Sequence, residues 1–152
     1  MRMFFKKYLI KYNDITDEVT IDARTEDQYN SDKILQHNIP IINKVQYDFL
    51  HKHLIIAELV IIYGLLKNIK NIKSDLLKIS NNKKFKIIIA CSKGRLRSPT
   101  LWAYAKLLGI DAKVLDGGIV SIKSNELNEV LCKNLKLWIG SINLLFIAFC
   151  LI

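Results

Sequence analysis

The pattern of apolar and polar residues predicts short buried strands that alternate with helices. Residues 19–23, 86–90 and 112–115 are short apolar runs, and the first two are rich in β-branched side chains. Such runs are typical of strands that are buried on both faces. Residues 39–42 form a further apolar patch, which fits either the entry to a strand or the anchor of a loop.

Helical spacing dominates the middle of the chain. Between residues 47 and 78, apolar side chains recur at steps of three and four, which indicates amphipathic helix. Gly64 and residues 68–71 are expected to divide this stretch into two helices. An earlier helix is expected to begin at residues 25–27, directly after the first strand.

Clear start and stop signals surround the helix that follows residue 97. Ser98 suits an N-cap and Pro99 suits the first turn, whereas Gly109 suits a C-terminal glycine cap. The polar residues 81–84 predict a turn before the strand at 86–90. After the strand at 112–115 the chain is expected to break at Asp116 and then form a last helix over 120–135.

Composition supports a single α/β domain. The chain has 152 residues, of which 51% are hydrophobic and 24% charged, so it can bury a core. Strands alternating with helices favour the α/β class. The formal net charge of +9 fits RNA or another polyanion as a partner, but Lys is also spread along the whole chain. Both explanations of the charge remain open.

The three cysteines, Cys91, Cys132 and Cys150, are too few and too oddly numbered for a disulfide framework. Because no Cys-x-x-Cys spacing occurs, we expect no metal site, and no motif calls for a cofactor. The N-terminus lacks the apolar core of a signal peptide, since lysines interrupt it. We therefore expect a protein of the reducing cytoplasm.

The end of the chain is unusual, because residues 137–152 carry no charge and are almost wholly apolar. As a helix this segment would span about 24 Å, less than the roughly 30 Å core of a bilayer. It could be a buried terminal helix, a membrane-associating tail, or a chain end that is foreign to the ancestral domain. We favour the third interpretation over association of the tail with a membrane.

The strongest chemical signal is the loop between the strand at 86–90 and the following helix. It holds Cys91, the glycine Gly94 and three cations, Lys93, Arg95 and Arg97. Backbone N–H groups that converge in such a loop, with a helix dipole behind them, bind an anion. A thiol in this position should be shifted toward thiolate. The loop therefore predicts a nucleophilic cysteine.

Three motifs in order resemble the rhodanese-like sulfurtransferases: Asp22-x-Arg24 after an early strand, Cys91 after a later one, and Asp116-Gly117-Gly118 after the last. The resemblance implies a three-layer α/β sandwich with a small, mainly parallel central sheet flanked by helices. It would occupy residues 15–130, between a lead-in at 1–14 and the apolar tail at 131–152. Asp22, Arg24, Asp116, Gly117 and Gly118 would then support the structure.

The cysteine loop resembles most closely that of the rhodanese domain of bacterial tRNA 2-selenouridine synthases, Cys-x-Arg-Gly-Gly-x-Arg-Ser. The corresponding residues here are Cys91, Ser92, Lys93, Gly94, Arg95, Leu96, Arg97 and Ser98. Arg95 stands where that family has its second glycine. The resemblance implies that Cys91 carries sulfur or selenium from a small donor, that residues 92–98 hold the anion, and that tRNA is a candidate partner.

Those synthases continue into a nucleotide-binding domain that opens with Gly-x4-Gly-Lys-Ser/Thr. This chain has no such motif, and its apolar tail begins about where the second domain would start. The sequence therefore suggests a truncated or decayed family member.

Two other classes remain open. Cys91-x5-Arg97 has the spacing of the cysteine-dependent phosphatases, and phosphate is also an anion that N–H groups and one Arg can hold. A non-catalytic remnant or binding module that keeps the fold is the third possibility. An enzyme, and a sulfurtransferase in particular, is the favoured interpretation.

Overall fold

The computed structural model describes residues 6–53 and 56–128. Its strands are β1 (Leu9–Ile10), β2 (Val19–Asp22), β3 (His37–Asn38), β4 (Ile87–Ala90) and β5 (Ala112–Leu115). Its helices are α1 (Glu26–Asp32), α2 (Lys44–Lys52), α3 (Ala57–Lys67), α4 (Ile69–Ile79) and α5 (Arg97–Leu107), and residues 118–128 are also helical. Short 3-10 turns at Lys6–Tyr8 and Tyr12–Asp14 flank β1.

The five strands form one parallel sheet in the order β1-β5-β4-β2-β3. Parallel neighbours need crossover connections, and helices supply them here. All four residues of β4, in the middle of the sheet, are buried, as expected of a strand that is covered on both faces. The predicted α/β class with a small parallel sheet flanked by helices is confirmed.

The order of the strands decides where a site can form. From β2 the chain continues to β3 on one side, whereas from β4 it continues to β5 on the other side. The connections that leave these two neighbours therefore run in opposite directions. In open parallel sheets, the crevice at the carboxyl ends of two such strands is where ligands bind.

The edge strand β1 comes from the segment that the sequence analysis sets apart as a lead-in. Leu9 pairs with Val114 and Ile10 with Leu115, and the N–H of Asp116 donates to the Ile10 carbonyl at 2.9 Å. The sheet thus begins before residue 15. A strand of two residues is too short to show a period in the sequence.

The helical stretch is divided differently from the prediction. In the described residues it forms three helices, α2, α3 and α4, and Asn68 separates the last two. Gly64 lies inside α3 and does not divide it. A Cβ at Gly64 would lie 2.7 Å from the Ile41 carbonyl oxygen, so the missing side chain serves close packing and not a helix end.

Residues 39–42 follow the two-residue strand β3 and form an irregular loop. Ile39, Ile41 and Ile42 are almost completely buried in the core. The patch is therefore the loop anchor of the two alternatives. Its buried side chains hold the segment between β3 and α2 in place against α3.

The predicted ends of two other elements are confirmed. Gly109 has a φ of 77°, and its N–H donates to the Lys106 carbonyl while that of Ile110 donates to the Ala105 carbonyl. These bonds form a Schellman motif at the end of α5. The turn before β4 contains three left-handed residues, Asn81, Asn82 and Lys83.

The chain divides into two compact units, residues 1–120 and 121–152. The last helix begins at 118, two residues before the predicted start, and the rest of its predicted range beyond 128 lies outside the described residues. Cys132, Cys150 and the apolar tail lie outside them too. Among the described helices, none is both long and apolar enough to cross a bilayer.

Candidate active site

The site begins where β2 and β4 end side by side. Asp22 is the register partner of Ala90, and the N–H of Ala23 donates to the Ala90 carbonyl at 2.7 Å. The next residues of both strands therefore leave the sheet at the same edge. The sequence motifs Asp22-x-Arg24 and Cys91, which are far apart in the chain, are brought together by this pairing.

Cys91 is buried, with 4% of its surface exposed. Burial on its own raises the pKa of the Cys91 thiol. The Ser98 hydroxyl and N–H, the Arg97 charge and the Gly94 N–H act in the opposite direction, and together they bring the pKa below its ordinary value. Groups of the loop itself therefore favour the thiolate form of Cys91.

Ser98 is not the helix N-cap that the sequence predicts. Helix α5 begins at Arg97, its N-cap is Leu96, and no side chain caps it. The Ser98 hydroxyl instead donates to the Cys91 sulfur at 3.3 Å, from the second residue of the helix. An N-cap serine would accept a hydrogen bond from a backbone N–H, whereas Ser98 directs its hydroxyl hydrogen at the sulfur.

Two glycine-bearing segments interlock behind the sulfur. Gly94 has a φ of 67° and Gly118 a φ of 62°. A Cβ at Gly118 would lie 2.1 Å from the Cys91 carbonyl oxygen, and one at Gly94 would lie 2.9 Å from the Leu115 carbonyl oxygen. Positive φ and close approach thus both require glycine here. Arg95, in contrast, is not among the described residues with positive φ, so its side chain is accommodated without strain.

The turn at Asp116-Gly117-Gly118 also holds the loop through hydrogen bonds. The N–H of Ile119 donates to the Cys91 carbonyl at 3.0 Å, and that of Val120 donates to the Ser92 carbonyl at 3.1 Å. The first two residues of the cysteine loop are therefore fixed from outside the loop.

Arg97 is also buried, at 7% exposed, on the first turn of α5. It donates to Gln28 Oε1 at 2.9 Å and to Ser92 Oγ at 3.0 Å, and its guanidinium carbon lies 5.1 Å from the centroid of the Tyr47 ring. None of the carboxylates in the described residues forms a salt bridge with it. Burial lowers the pKa of Arg97, but a guanidinium keeps its charge at neutral pH.

Arg24 shows the opposite environment. Its guanidinium contacts Asp22 at 2.7 Å and Asp32 at 2.6 Å. The backbone N–H of Arg24 also donates a hydrogen bond to Asp22 Oδ1. Asn38 ties β3 to the same place by donating to the carbonyls of Asp22 and Arg24. This network joins β2, α1 and β3 through the side chains of Asp22 and Arg24.

The remaining loop cations lie at the rim. Lys93 and Arg95 are exposed, and Leu96 is half-buried between them and the helix. Exposed cations beside a buried anion site attract charged substrates but hold them only loosely. In the part of the chain that the structure describes, no three His, Cys, Asp or Glu side chains are grouped as metal ligands.

Gln28 and Tyr47 belong to the site, and the sequence analysis did not find them. Gln28 is 69 residues from Arg97 in the chain, and Tyr47 lies on α2. Neither residue belongs to a motif. The only signal was indirect, since a charged loop at a sheet edge is expected to be flanked by the helices that follow the neighbouring strands.

Comparison with known proteins agrees with the observed fold. The model of the rhodanese-like domain family matches residues 6–125. The crystal structure of the N-terminal domain of a proposed ATP/GTP-binding protein from Clostridium difficile 630 is similar, with a TM-score of 0.69 and 23% identity over 78% of this chain and 98% of that one. No curated protein matches the chain.

Proposed function

The chain belongs to the rhodanese-like domain family, and from this premise we propose that it transfers sulfur through a persulfide on Cys91. One observation carries the proposal: a buried thiol whose pKa is lowered interacts with a buried guanidinium that forms no salt bridge with any described carboxylate. Such a site stabilises the thiolate before reaction and an anionic sulfur afterwards.

The reaction has two steps. The Cys91 thiolate attacks the outer sulfur of a donor such as thiosulfate, a Cys–S–S⁻ persulfide forms, the S–S bond of the donor breaks, and sulfite leaves with the electron pair. An acceptor thiolate or cyanide then takes the terminal sulfur and restores the Cys91 thiolate. Charge and sulfur balance in both steps, without a redox partner. The loop N–H groups and Arg97 stabilise the anion that is present throughout.

We propose further that the loop works as in the tRNA 2-selenouridine synthases, with selenium as an alternative to sulfur and tRNA as acceptor. Cys91, Gly94, Arg97 and Ser98 support this, because they match that family's loop and all contribute to the sulfur environment described above. The exposed Lys93 and Arg95 suit an approaching phosphate backbone. The structural neighbour is likewise the N-terminal part of a protein described as binding ATP or GTP.

The decisive experiment is thiosulfate:cyanide sulfur transfer by the wild type and by Cys91→Ser. We expect the variant to lose all transfer, because a hydroxyl has no accessible anion at neutral pH, and we expect mass spectrometry to find added sulfur on Cys91 only. Cys132→Ser is the matched control and should retain activity. Transfer that survives in Cys91→Ser would refute the proposal.

A second candidate, a cysteine-dependent phosphatase, is favoured by the Cys91-x5-Arg97 spacing and by the same anion nest. A phosphatase also needs a carboxylic acid to protonate its leaving group. Asp22, the carboxylate beside the loop on β2, is fully engaged by Arg24. Hydrolysis of p-nitrophenyl phosphate that requires Cys91, without sulfur transfer, would establish this alternative, and activity in neither assay would indicate a binding module.

A further inference from the structure

Two helices that carry none of the sequence motifs hold the buried guanidinium of Arg97. Gln28 reaches it from α1 and accepts a hydrogen bond at 2.9 Å through Oε1. Tyr47 reaches it from α2 and places its ring 5.1 Å from the guanidinium carbon. His51, one turn further along α2, packs edge-on against the Tyr47 ring at 4.5 Å between centroids.

Both contacts orient the guanidinium without cancelling its charge. An amide oxygen accepts a hydrogen bond as a carboxylate does, but it brings no net charge. The face of an aromatic ring attracts a cation through its quadrupole and is also neutral. A carboxylate at either place would form a buried ion pair, as Asp22 and Asp32 do with Arg24.

We propose that Gln28 and Tyr47 are positioning residues, which fix Arg97 beside the cysteine loop through neutral contacts and so leave its positive charge for an anionic substrate. The proposal rests on the proposed function in one respect, since it takes the sulfur donor to be that anion. The binding site itself would serve any small tetrahedral oxyanion. A hydrogen bond from the second terminal nitrogen of Arg97 to Ser92 Oγ directs that nitrogen toward the cysteine loop.

The first test places a carboxylate next to Arg97. Gln28→Glu is nearly isosteric and should neutralise the guanidinium, so that sulfate protects Cys91 against iodoacetamide at least tenfold less well than in the wild type. Sulfate is the probe because it resembles thiosulfate in shape and charge but lacks the outer sulfur atom that a sulfurtransferase removes. Asn30→Asp is the matched control: it adds the same charge to an exposed position of the same helix, where solvent and salt screen it.

The second test removes the ring. Tyr47→Leu should weaken sulfate protection severalfold, and Tyr47→Phe, which retains the aromatic face, should restore most of it. For sulfur transfer, Gln28→Glu should raise KM for thiosulfate more than it lowers kcat. If Gln28 and Tyr47 only supported the fold, folded variants would keep the wild-type sulfate protection of Cys91. Their KM for thiosulfate would not rise more than their kcat falls.

The outcomes separate this inference from the proposed function. Equal sulfate protection in Gln28→Glu and Asn30→Asp, or equal loss in Tyr47→Phe and Tyr47→Leu, would overturn the positioning role. Sulfate protection that follows the expected order in a protein without sulfur-transfer activity would uphold the positioning role and refute the sulfurtransferase.

Discussion

Arg24 and Arg97 are buried to the same degree, at 6% and 7% exposed, but their surroundings differ completely. Two carboxylates contact Arg24, whereas Arg97 has an amide, a hydroxyl and an aromatic ring. Burying a charge is costly unless a partner compensates it. A fully compensated arginine joins elements of the fold, and an uncompensated one keeps its capacity to bind an anion.

The two arginines are also close enough for their charges to interact. The carboxylate of Asp22 raises the pKa of Arg97, and Arg24 lowers it, although burial has the largest influence. Asp22 and Arg24 stand at the end of β2, directly beside the strand that carries the cysteine. The supporting network therefore holds one guanidinium between two carboxylates, and Asp22 is the carboxylate of this network that acts on Arg97.

The largest expected effect is on stability and concerns Arg24. Arg24→Gln leaves the fully buried Asp22 carboxylate without its cation, and breaking a buried pair in this way costs about 3–5 kcal/mol. Urea unfolding should show this loss. Arg97→Gln should cost less than Arg24→Gln, because no described carboxylate forms a salt bridge with Arg97 and none is left buried without its partner. Equal losses in the two variants would break the comparison.

The next effect is on activity and concerns Arg97. If Arg97 stabilises the anion of the proposed reaction, Arg97→Gln should lower kcat/KM by about 10²–10³-fold, the usual effect of losing one such group. Arg97→Lys should have more activity than Arg97→Gln but less than the wild type, because an ammonium lacks the planar set of N–H donors of a guanidinium. Thiosulfate:cyanide assays of the folded variants are the measurement. Full activity in Arg97→Gln would show that the uncompensated charge has no role in the reaction.

The smallest effect is on the pH dependence of Cys91. Because the folded pKa of the Cys91 thiol is lowered, the rate of its alkylation should rise with pH through a midpoint below that of a cysteine in the unfolded chain. Ser98→Ala and Arg97→Gln should both move this midpoint upward, and Ser98→Ala should move it more, since the Ser98 hydrogen bond outweighs the Arg97 charge. The control is Lys106→Gln, which removes from the last turn of the same helix a cation that pairs with Asp111, and it should leave the midpoint in place.

The chemical core of the site could be predicted from the sequence, because local signals carry it. The apolar run of β4, the glycine at 94 and the cations around it indicate strand, nest and helix within one short segment. The motifs at Asp22-x-Arg24 and Asp116-Gly117-Gly118 were also visible, and the structure brings both to the cysteine loop.

What the sequence could not show depends on contacts between distant segments. The pairing of Gln28 with Arg97 spans 69 residues, and nothing in the composition of α1 reveals it. The sequence predicted Ser98 as a helix cap because a serine before a proline fits that position. Its actual partner, the Cys91 sulfur, becomes evident only from the three-dimensional structure. The two-residue strands β1 and β3 are too short to leave a periodic pattern.

The interlocked glycines have a consequence for how the protein is made. The carbonyls of Cys91 and Ser92 receive their hydrogen bonds from Ile119 and Val120, and Gly118 fills the space behind them. On the ribosome, Cys91 is therefore synthesised nearly thirty residues before the segment that holds its loop. A nascent chain that has not yet emerged to residue 120 carries the cysteine but lacks the hydrogen bonds that hold its loop in place.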